Sequence, residues 1–434
     1  MNLNRSNRLE TDIKKPELIV KPILPALLKL SWPAMLAMLF QSLTSLTDVF
    51  FLKSIGTDAQ AAIGIFAVLQ MYLQFFNSIV GNGSICVVSQ HYGKGNSSNA
   101  GYAVAQTLLL KLLGSFIFVI PVLIFLRPLL SLIGAEGSAL EMAVVYGSIM
   151  CFVIPFQNTG YTFNTGLRAA GDAVTPMYLM MGRLIVNLAM NAVLVLGIGP
   201  FESIGIAGVA ISAAISQIYL FVVGMYVYTS KKTILSFTFK EFIQPNFILM
   251  KRILQIGLPT GFKQILVSVA NSLVMKQISF FGMASVATFT VVSRITGFIN
   301  MPIAGLSFAT STIVGQNVGA GKTGRAVKSA KYASLIALGI TVTFLIVTVF
   351  IPTKILSIFS KDPIVIASSV IPLIIFTFNQ IIASQNMIYN APLLGTGYLK
   401  VGLYVTTIST WFFQIPLLYL LPLYCGMNGI WYSF

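Results

Sequence analysis

Long apolar runs, separated by short polar connections, dominate the pattern of this chain. Eleven runs have about twenty residues or more, enough to cross a hydrocarbon core of ~30 Å, and a twelfth begins near Gly426. Because no water satisfies backbone amides in that environment, each run is expected to form a helix. The pattern predicts an all-α membrane protein with twelve transmembrane helices, the last of them incomplete. The eleven full runs are 25–52, 59–88, 100–126, 140–163, 176–198, 204–228, 251–280, 285–312, 331–352, 364–390 and 398–420.

The chain repeats itself at one constant offset, the one that takes Pro33 to Pro259. Ser31-Trp32-Pro33 opens the first run and Gly257-Leu258-Pro259 opens the seventh. Further pairs at the same offset are 88–95 with 314–321, Asn164 with Asn390, Leu167 with Leu393, and Gly171 with Gly397. Since this offset covers six runs, an even number, the copies keep the same orientation in the membrane and form parallel repeats.

This duplication predicts two six-helix lobes with a cavity between them at mid-membrane. Rocking of one lobe against the other is then the expected transport movement, and duplication for stability alone is the alternative. The predicted divisions are a cytoplasmic N-terminal tail 1–24, an N-lobe 25–228 with helices 1–6, a basic cytoplasmic linker 229–250, and a C-lobe 251–434 with helices 7–12.

Charge is sparse in this chain and unevenly placed. The composition is 56% hydrophobic and 9% charged, with a formal net charge of +16. Basic residues gather before the first run, between the sixth and seventh, and after the eighth, whereas the opposite connections carry fewer. By the positive-inside rule, this distribution predicts a multi-pass protein of the plasma (inner) membrane with a cytoplasmic N-terminus. The positive charge is therefore expected to anchor the chain in the bilayer, not to bind nucleic acid.

Asp48 is the only acidic residue well inside an apolar run. A carboxylate there costs about 2.5–3.5 kcal/mol on insertion scales, so such residues usually mark ion or proton sites. Asn187 and Asn191 share one helical face, and Tyr146 reaches a similar depth, so we expect all three to meet Asp48. Burial and hydrogen-bond donors act in opposite directions on a carboxyl pKa, so such a pocket can set Asp48 to exchange protons. Oxygen ligands of this kind would also suit sodium.

Pro33 lies in the same run, four turns before Asp48. Proline removes a backbone hydrogen bond and can bend a helix. Our hypothesis is that protonation of Asp48 changes the bend at Pro33 and reshapes the N-lobe cavity.

Several basic residues also fall inside the apolar runs. Long basic side chains can snorkel toward the membrane surface or face water. Lys263, one turn after Pro259, either snorkels to the cytoplasmic face or faces the cavity, where it would favour anionic substrates. The residues concerned are Lys111, Arg183, Lys263, Lys276 and Arg294.

The chain offers few groups for catalysis. His91 is the sole histidine, and Cys86, Cys151 and Cys425 have neither metal-binding nor disulfide-framework spacing. A membrane enzyme needs clustered histidine, cysteine or acidic residues, and an ATP-driven pump needs a phosphate-binding Gly-x-x-x-x-Gly-Lys-Ser/Thr loop, which is absent. We therefore expect a protein that is not an enzyme and uses no cofactor or metal, apart from a proton or sodium as coupling ion.

Several of these segments also resemble the multidrug and toxin extrusion (MATE) family of cation-coupled efflux antiporters. The segments that carry the resemblance are Leu30-Ser31-Trp32-Pro33, Thr47-Asp48-Val49-Phe50, Gln90-His91-Tyr92-Gly93-Lys94-Gly95-Asn96, Leu167-Arg168-Ala169-Ala170-Gly171-Asp172, and Gly315-Gln316-Asn317-Val318-Gly319-Ala320-Gly321. It runs from about Pro25 to Phe434. The resemblance implies a V-shaped, two-lobe transporter that exports small organic, often cationic, amphiphiles in exchange for protons or sodium.

At matched positions, the resemblance makes Asp48 the acid of the N-lobe and Pro33 the bending proline. In DinF-like members, the positions of Gln41, Tyr146, Asn164, Met180 and Asn187 join the polar network or line the cavity. This chain has Asn191 where many such members carry a second aspartate, and Thr44 where some carry a tyrosine. Its seventh run lacks the acid of NorM-like members, so the chain is closer to DinF-like members.

The predicted function is secondary active multidrug efflux by alternating access. The partners are small organic molecules and the lipid bilayer, and we expect a monomer. The predicted coupling site is Asp48, Asn187, Asn191, Tyr146 and Asn164, and the predicted cavity residues are Gln41, Thr44 and Met180. The nearest alternative is a lipid-linked saccharide flippase of the same superfamily. Two further helices and a more basic cavity would favour it, and the sequence indicates neither.

Overall fold

The computed structural model describes residues 17–198, 202–230, 233–359 and 362–433, which are almost entirely helical and contain no strand. Eleven helices in these ranges are long and apolar enough to cross a membrane, which confirms the eleven predicted full runs. The twelfth run forms only a six-residue helix. The helices are α1 (Ile23–Leu52), α2 (Thr57–Gly93), α3 (Ser97–Ile124), α4 (Leu126–Leu132), α5 (Gly137–Ala170), α6 (Val174–Leu196), α7 (Ile206–Thr229), α8 (Phe239–Ile243), α9 (Phe247–Phe280), α10 (Met283–Gly319), α11 (Thr323–Phe350), α12 (Pro352–Phe359), α13 (Pro363–Thr396), α14 (Leu399–Thr407), α15 (Ile415–Cys425) and α16 (Met427–Tyr432).

The eleventh membrane-crossing helix is interrupted. A π-helical turn, Ile408–Gln414, joins α14 to α15, and together they form one apolar span, Leu399–Cys425. In the first lobe, α5 packs against α2, α3 and α7, while α1 pairs with α6. In the second lobe, α13 packs against α10 and α11. Each lobe is therefore built around the fourth membrane-crossing helix of its own repeat.

The segment between the lobes is folded onto the N-lobe. The buried amide of Gln106, on α3, donates to two backbone carbonyls of this segment at 2.7 and 2.8 Å. Its Oε1 accepts the backbone N–H of Asn246 at 2.7 Å. Phe237 lies in the same hydrophobic cluster as α3 and α5 residues. The described part of 229–250 therefore packs against the N-lobe, whereas the sequence predicted only a basic linker.

The lobes meet at two helix crossings that the repeat relates to each other. At the crossing of α1 and α10, a Cβ on Gly305 would lie 2.7 Å from the carbonyl oxygen of Ser31. At the crossing of α9 and α2, a Cβ on Gly257 would lie 1.8 Å from that of Ile79. The repeat offset relates Ser31 to Gly257, and it also relates Ile79 to Gly305. The contacts therefore follow the predicted parallel repeats, with glycine allowing close backbone approach.

A second reciprocal pair of contacts closes one end of the molecule, where α2 and α10 end. Gln90 donates through Nε2 to the carbonyl of Gly395 at 3.0 Å. Gln316, its equivalent in the second repeat, donates to the carbonyl of Ala169 at 2.9 Å. Each glutamine thus satisfies a carbonyl near the end of a helix in the opposite lobe, where intrahelical partners run out.

Two glycines let the backbones touch beside these glutamines. A Cβ on Gly93 would lie 2.1 Å from the carbonyl oxygen of Gln316, and one on Gly319 would lie 2.3 Å from that of Gln90. These distances leave no room for a side chain between the lobes. We call this set of contacts the seam; it comprises Gln90, Gly93, Ala169, Gln316, Gly319 and Gly395.

Replacing Gly319 with alanine is expected to open the seam. The added methyl group overlaps the Gln90 carbonyl, and overpacking of this kind typically costs about 1–3 kcal/mol. One or two kcal/mol changes a population by roughly 5–30-fold. Cys86 is buried beside the seam, with Sγ 3.6 Å from the Gly395 carbonyl. Maleimide should therefore label Cys86 faster in Gly319→Ala by a factor of that order.

The labelling is measured with Cys151 and Cys425 replaced by serine, so that Cys86 is the one remaining thiol. Gly339→Ala is the matched control, because nothing lies within 4 Å of a Cβ at that position. Equal labelling rates in the two alanine variants would contradict a closed seam held by backbone contact.

Candidate functional site

Asp48 lies near the end of α1, half-buried against α6. Its Oδ1 accepts hydrogen bonds from Nδ2 of Asn187 at 3.1 Å and from Nδ2 of Asn191 at 3.0 Å. Nδ2 of Asn191 also lies 3.2 Å from Oδ1 of Asn187, and both asparagines are fully buried. The structure therefore brings together the three residues at the centre of the predicted coupling site.

Tyr146 and Thr44 flank this site without hydrogen-bonding to it. The Tyr146 ring meets Phe66 edge-on, with centroids 5.5 Å apart, and interacts with Asp48 electrostatically. Thr44, one turn before Asp48, is buried and donates to the carbonyl of Phe40 at 2.8 Å. Among the described residues, the side-chain donors to Asp48 are the two asparagines alone.

Asn164 makes no hydrogen bond to the Asp48 site in the described part of the chain. It is buried on α5, and neither of its amide atoms has a hydrogen-bond partner within the described ranges. Its equivalent in the second repeat, Asn390, accepts from Nζ of Lys263 at 3.4 Å. The residue that corresponds to Lys263 in the first repeat is Ala37, so the N-lobe lacks that donor. The predicted role of Asn164 in the polar network has no contact to support it.

Met180 is part of the hydrophobic core, whereas the resemblance implied a position in the cavity wall. It is 2% exposed and packs in one hydrophobic cluster with Met177 and Leu220. Gln41, by contrast, is exposed and lines a large space between the lobes. Of the three predicted cavity residues, the structure thus places only Gln41 in that wall.

This space is a cavity of about 1350 Å³ at the end opposite the seam. Residues of α1 from Met38 to Phe50, with Lys53 directly after the helix, form one wall, and residues of α10 from Arg294 to Ala304 form the facing wall. No acidic residue lines it among the described residues, and Asp48 is turned away toward α6. The charged lining groups, Lys53 and Arg294, are basic, whereas the sequence did not indicate a more basic cavity.

Tyr161 connects the cavity wall to the neighbourhood of Asp48, a role that the sequence did not indicate. Its hydroxyl accepts from Nε2 of Gln41 at 3.3 Å and from Nη1 of Arg183 at 3.4 Å. The Arg183 guanidinium also stands 5.9 Å from the centre of the tyrosine ring. Arg183 lies one turn before Asn187 and interacts electrostatically with Asp48. The four-residue spacing of Arg183 and Asn187 was the one available sequence signal for this link.

Pro33 is buried within α1, which continues as a single helix from Ile23 to Leu52. It lies at the crossing with α10, where a Cβ on Gly305 would be 3.1 Å from the backbone nitrogen of Met35. The first half of α1 packs on the C-lobe, and its second half lines the cavity. A bend at Pro33 would therefore change the cavity wall relative to the C-lobe.

Comparison with known proteins identifies a family whose sequence model matches both repeats of this chain. The MatE family model matches residues 33–193 and 259–420, one match in each repeat. The probable multidrug resistance protein YoeA of Bacillus subtilis is 26% identical over 415 residues, covering 93% of this chain and 88% of that protein. A FAD transporter of Shewanella oneidensis is 28% identical over 353 residues, covering 80% and 76%.

A solved structure shares the fold over nearly the whole chain. It is described as an outward-facing conformation of a multidrug resistance MATE family transporter of the MOP superfamily. The TM-score is 0.86 at 25% identity, and the alignment covers 97% of this chain and 93% of that one.

Replacing Asn191 with alanine removes one of the two donors to Asp48. A hydrogen bond to a charged group contributes about 1.5–3 kcal/mol and a neutral one about 0.5–1.5 kcal/mol. We expect the variant to lose stability by the larger amount at alkaline pH, where the carboxylate is ionised, and by the smaller amount at acidic pH. Thermal unfolding of the purified protein across a pH series measures the difference.

Asn164→Ala is the matched control, because it removes a buried amide that has no partner in the described chain. Its effect on stability should not vary with pH. A pH-independent loss in Asn191→Ala as well would show that the amide does not support an ionisable Asp48.

Proposed function

The chain belongs to the MATE family, and on that premise we propose that it is a secondary active multidrug antiporter that exports small organic molecules in exchange for protons. Asp48 is the carboxylate that couples the two movements. The observation that carries this proposal is the pocket in which Asn187 and Asn191 both donate to Oδ1 of Asp48. A carboxylate within an apolar span is costly and is seldom kept for packing alone.

Protonation of Asp48 would change what holds α1 against α6. Hydrogen bonds to an ionised carboxylate are roughly twice as strong as neutral ones, so the proton weakens both asparagine contacts. Because Pro33 leaves α1 free to bend at the α10 crossing, that weakening can be passed to the cavity wall. Tyr161 and Arg183 extend the connection to Gln41 in the same wall.

The closed seam and the open cavity support alternating access. The seam lies at the end where α1 begins, and the cavity lies where α1 ends. With the N-terminus in the cytoplasm of the plasma membrane, as the charge distribution predicts, the structure is outward-facing and corresponds to substrate release. We propose that a monomer, divided into lobes 25–228 and 251–434, completes the cycle by opening the seam.

The amide orientations favour a proton over sodium as the coupling ion. Both asparagines turn N–H groups toward the Asp48 carboxylate, whereas sodium requires converging oxygens. The seventh membrane-crossing helix, α9, contains no acid, so the C-lobe lacks the carboxylate of NorM-like members. This supports a DinF-like assignment with a single coupling carboxylate. The basic cavity is one of the two features that would favour the flippase alternative, but the described residues contain eleven membrane-crossing helices and lack the two further ones, and the relatives found do not favour it.

Asp48→Asn is expected to abolish gradient-driven export, because the amide cannot take up a proton at this site. Export of ethidium and of flavin mononucleotide from reconstituted vesicles is measured for each probe under an imposed pH gradient and then under a sodium gradient. The native protein should respond to the pH gradient.

Asp58→Asn is the matched control, since Asp58 is an exposed carboxylate at the start of α2. It should export as the native protein does. Equal export by Asp48→Asn and the native protein would remove Asp48 from the mechanism. Export by the native protein under the sodium gradient alone would show that sodium, and not the proton, is the coupling ion.

Pro33→Ala is expected to flatten the pH dependence of export, because it restores the missing backbone N–H and stiffens α1 at the crossing. The comparison is with Pro121→Ala, which alters an exposed helix-interior proline on α3. An unchanged pH profile in Pro33→Ala would separate the proline from coupling.

A further inference from the structure

The charged groups that line the cavity between the lobes are all basic. Lys53 lies at the end of α1 and Arg294 on the facing wall of α10, and both side chains are exposed. The ion pairs found in the described chain involve neither of them. Asp48 cannot neutralise this wall directly, because its carboxylate is held by α6. The cavity therefore presents unpaired positive charge.

A smaller space of about 350 Å³ in the C-lobe has the same character. It is lined by Lys263 together with Asn386 and Asn390, and again by no acidic residue. Lys263 donates to Oδ1 of Asn390, a neutral acceptor, and has no ion pair in the described ranges. Met387 lies in the walls of both spaces. Lys263 thus lines an open space that shares Met387 with the main cavity.

The three cations lie at different depths. Lys263 bonds to Asn390, close to the seam end of α13, whereas Arg294 lies about three turns after the start of α10. Lys53 lies at the open end of α1. Positive groups therefore lie at three levels between the seam and the opening, with Lys53 and Arg294 on the main cavity and Lys263 on the smaller space.

The rest of the main wall suits an aromatic or apolar body with some polar groups. Methionine and phenylalanine side chains supply adaptable apolar contact, and amides supply hydrogen bonds. Arginine adds a planar fork that binds carboxylate or phosphate with two hydrogen bonds and stacks on rings. The residues concerned are Met38, Gln41, Phe50, Gln60, Phe298, Asn300, Met301, Phe359 and Met387.

We propose that the cavity takes an organic anion, in which an aromatic or apolar body carries a carboxylate or a phosphate that meets Arg294, while Lys53 adds positive charge nearer the opening. This inference rests on the proposed function only in treating the cavity as the transport path. Like charges disfavour a cationic substrate in such a wall, so the substrate class differs from the often cationic one that the resemblance implies. The volume exceeds the ~300–1000 Å³ of common ligand pockets and leaves room for a drug-sized molecule.

An anionic lipid headgroup would share this chemistry. The amide and hydroxyl groups of Gln41, Ser42, Ser45, Gln60 and Asn300 continue along the wall beside the charges. An acyl chain makes no use of hydrogen-bonding groups, whereas a water-soluble aromatic body does. The wall therefore favours a soluble organic anion.

Binding of three fluorescent probes to the purified native chain, in neutral detergent, tests this proposal. Flavin mononucleotide and riboflavin share one ring system and differ by a phosphate, while ethidium is an aromatic cation. Flavin mononucleotide should bind about tenfold or more tightly than riboflavin, because the phosphate gains charge-assisted hydrogen bonds. Equal affinity for the two flavins, or tighter binding of ethidium, would overturn the proposal.

Variants assign the phosphate contact to its residues. Arg294→Gln and Lys53→Gln should each weaken binding of flavin mononucleotide, with the larger loss in Arg294→Gln, and should leave riboflavin unchanged. Lys276→Gln is the control, because this exposed lysine of α9 lines neither space. Equal losses of flavin mononucleotide affinity in all three variants would show that only the net charge of the protein matters, and would overturn the assignment.

Two further measurements separate this inference from its alternatives. Phosphatidylglycerol should not displace bound flavin mononucleotide, and displacement would overturn the assignment to a soluble anion. Ethidium export without flavin mononucleotide binding would overturn the anion site and leave the transporter intact. Flavin mononucleotide binding with no gradient-driven export of any probe would support the anion site and contradict the proposed transport function.

Discussion

A single carboxylate in an apolar span, and the two amides that hold it, constrain the whole N-lobe. Asp48 can remain near the end of α1 only because Asn187 and Asn191 place two donors one helical turn apart on α6. That contact ties the cavity-lining half of α1 to its own lobe. The other half of α1 packs on the C-lobe through α10. One helix is therefore shared by both lobes, and Pro33 divides its two halves.

The repeated motifs of the sequence are the places where the lobes touch. Gln90 and Gln316 occupy equivalent positions, and each donates to a carbonyl of the opposite lobe. Gly93 and Gly319 are equivalent as well, and each lets the opposite backbone approach closely. A contact of this kind needs both partners in both copies, which explains why the match between the two repeats is strongest there. Apolar side chains of both lobes pack together beside the seam, so its hydrogen bonds and close backbone contacts add to a shared hydrophobic interface.

Much of the architecture could be predicted because bilayer physics leaves few choices. Run length and backbone hydrogen bonding predicted the eleven spans, and the cost of an intramembrane acid pointed to Asp48. The four-residue spacing of Asn187 and Asn191 then predicted their shared face. Contacts within a single helix face can be derived in this way.

Contacts that depend on how helices rotate against each other could not be derived. Met180 packs in a hydrophobic cluster. Asn164 has no donor like the one that Lys263 gives Asn390, because Ala37 occupies the equivalent position in the first repeat. Tyr161 gave no sequence signal, since its role needs Gln41 and Arg183 to converge from two other helices. The basic lining formed by Lys53 and Arg294 likewise appears only when α1 and α10 face each other.

Proton release on substrate binding tests most directly whether Asp48 couples the two movements. Isothermal titration in buffers of different ionisation enthalpy counts the protons released when the purified protein binds whichever probe it holds more tightly, ethidium or flavin mononucleotide. We expect the native protein to release up to about one proton, since linked sites must affect each other reciprocally, and Asp48→Asn to release none. Equal proton release by both proteins would show that another group carries the proton.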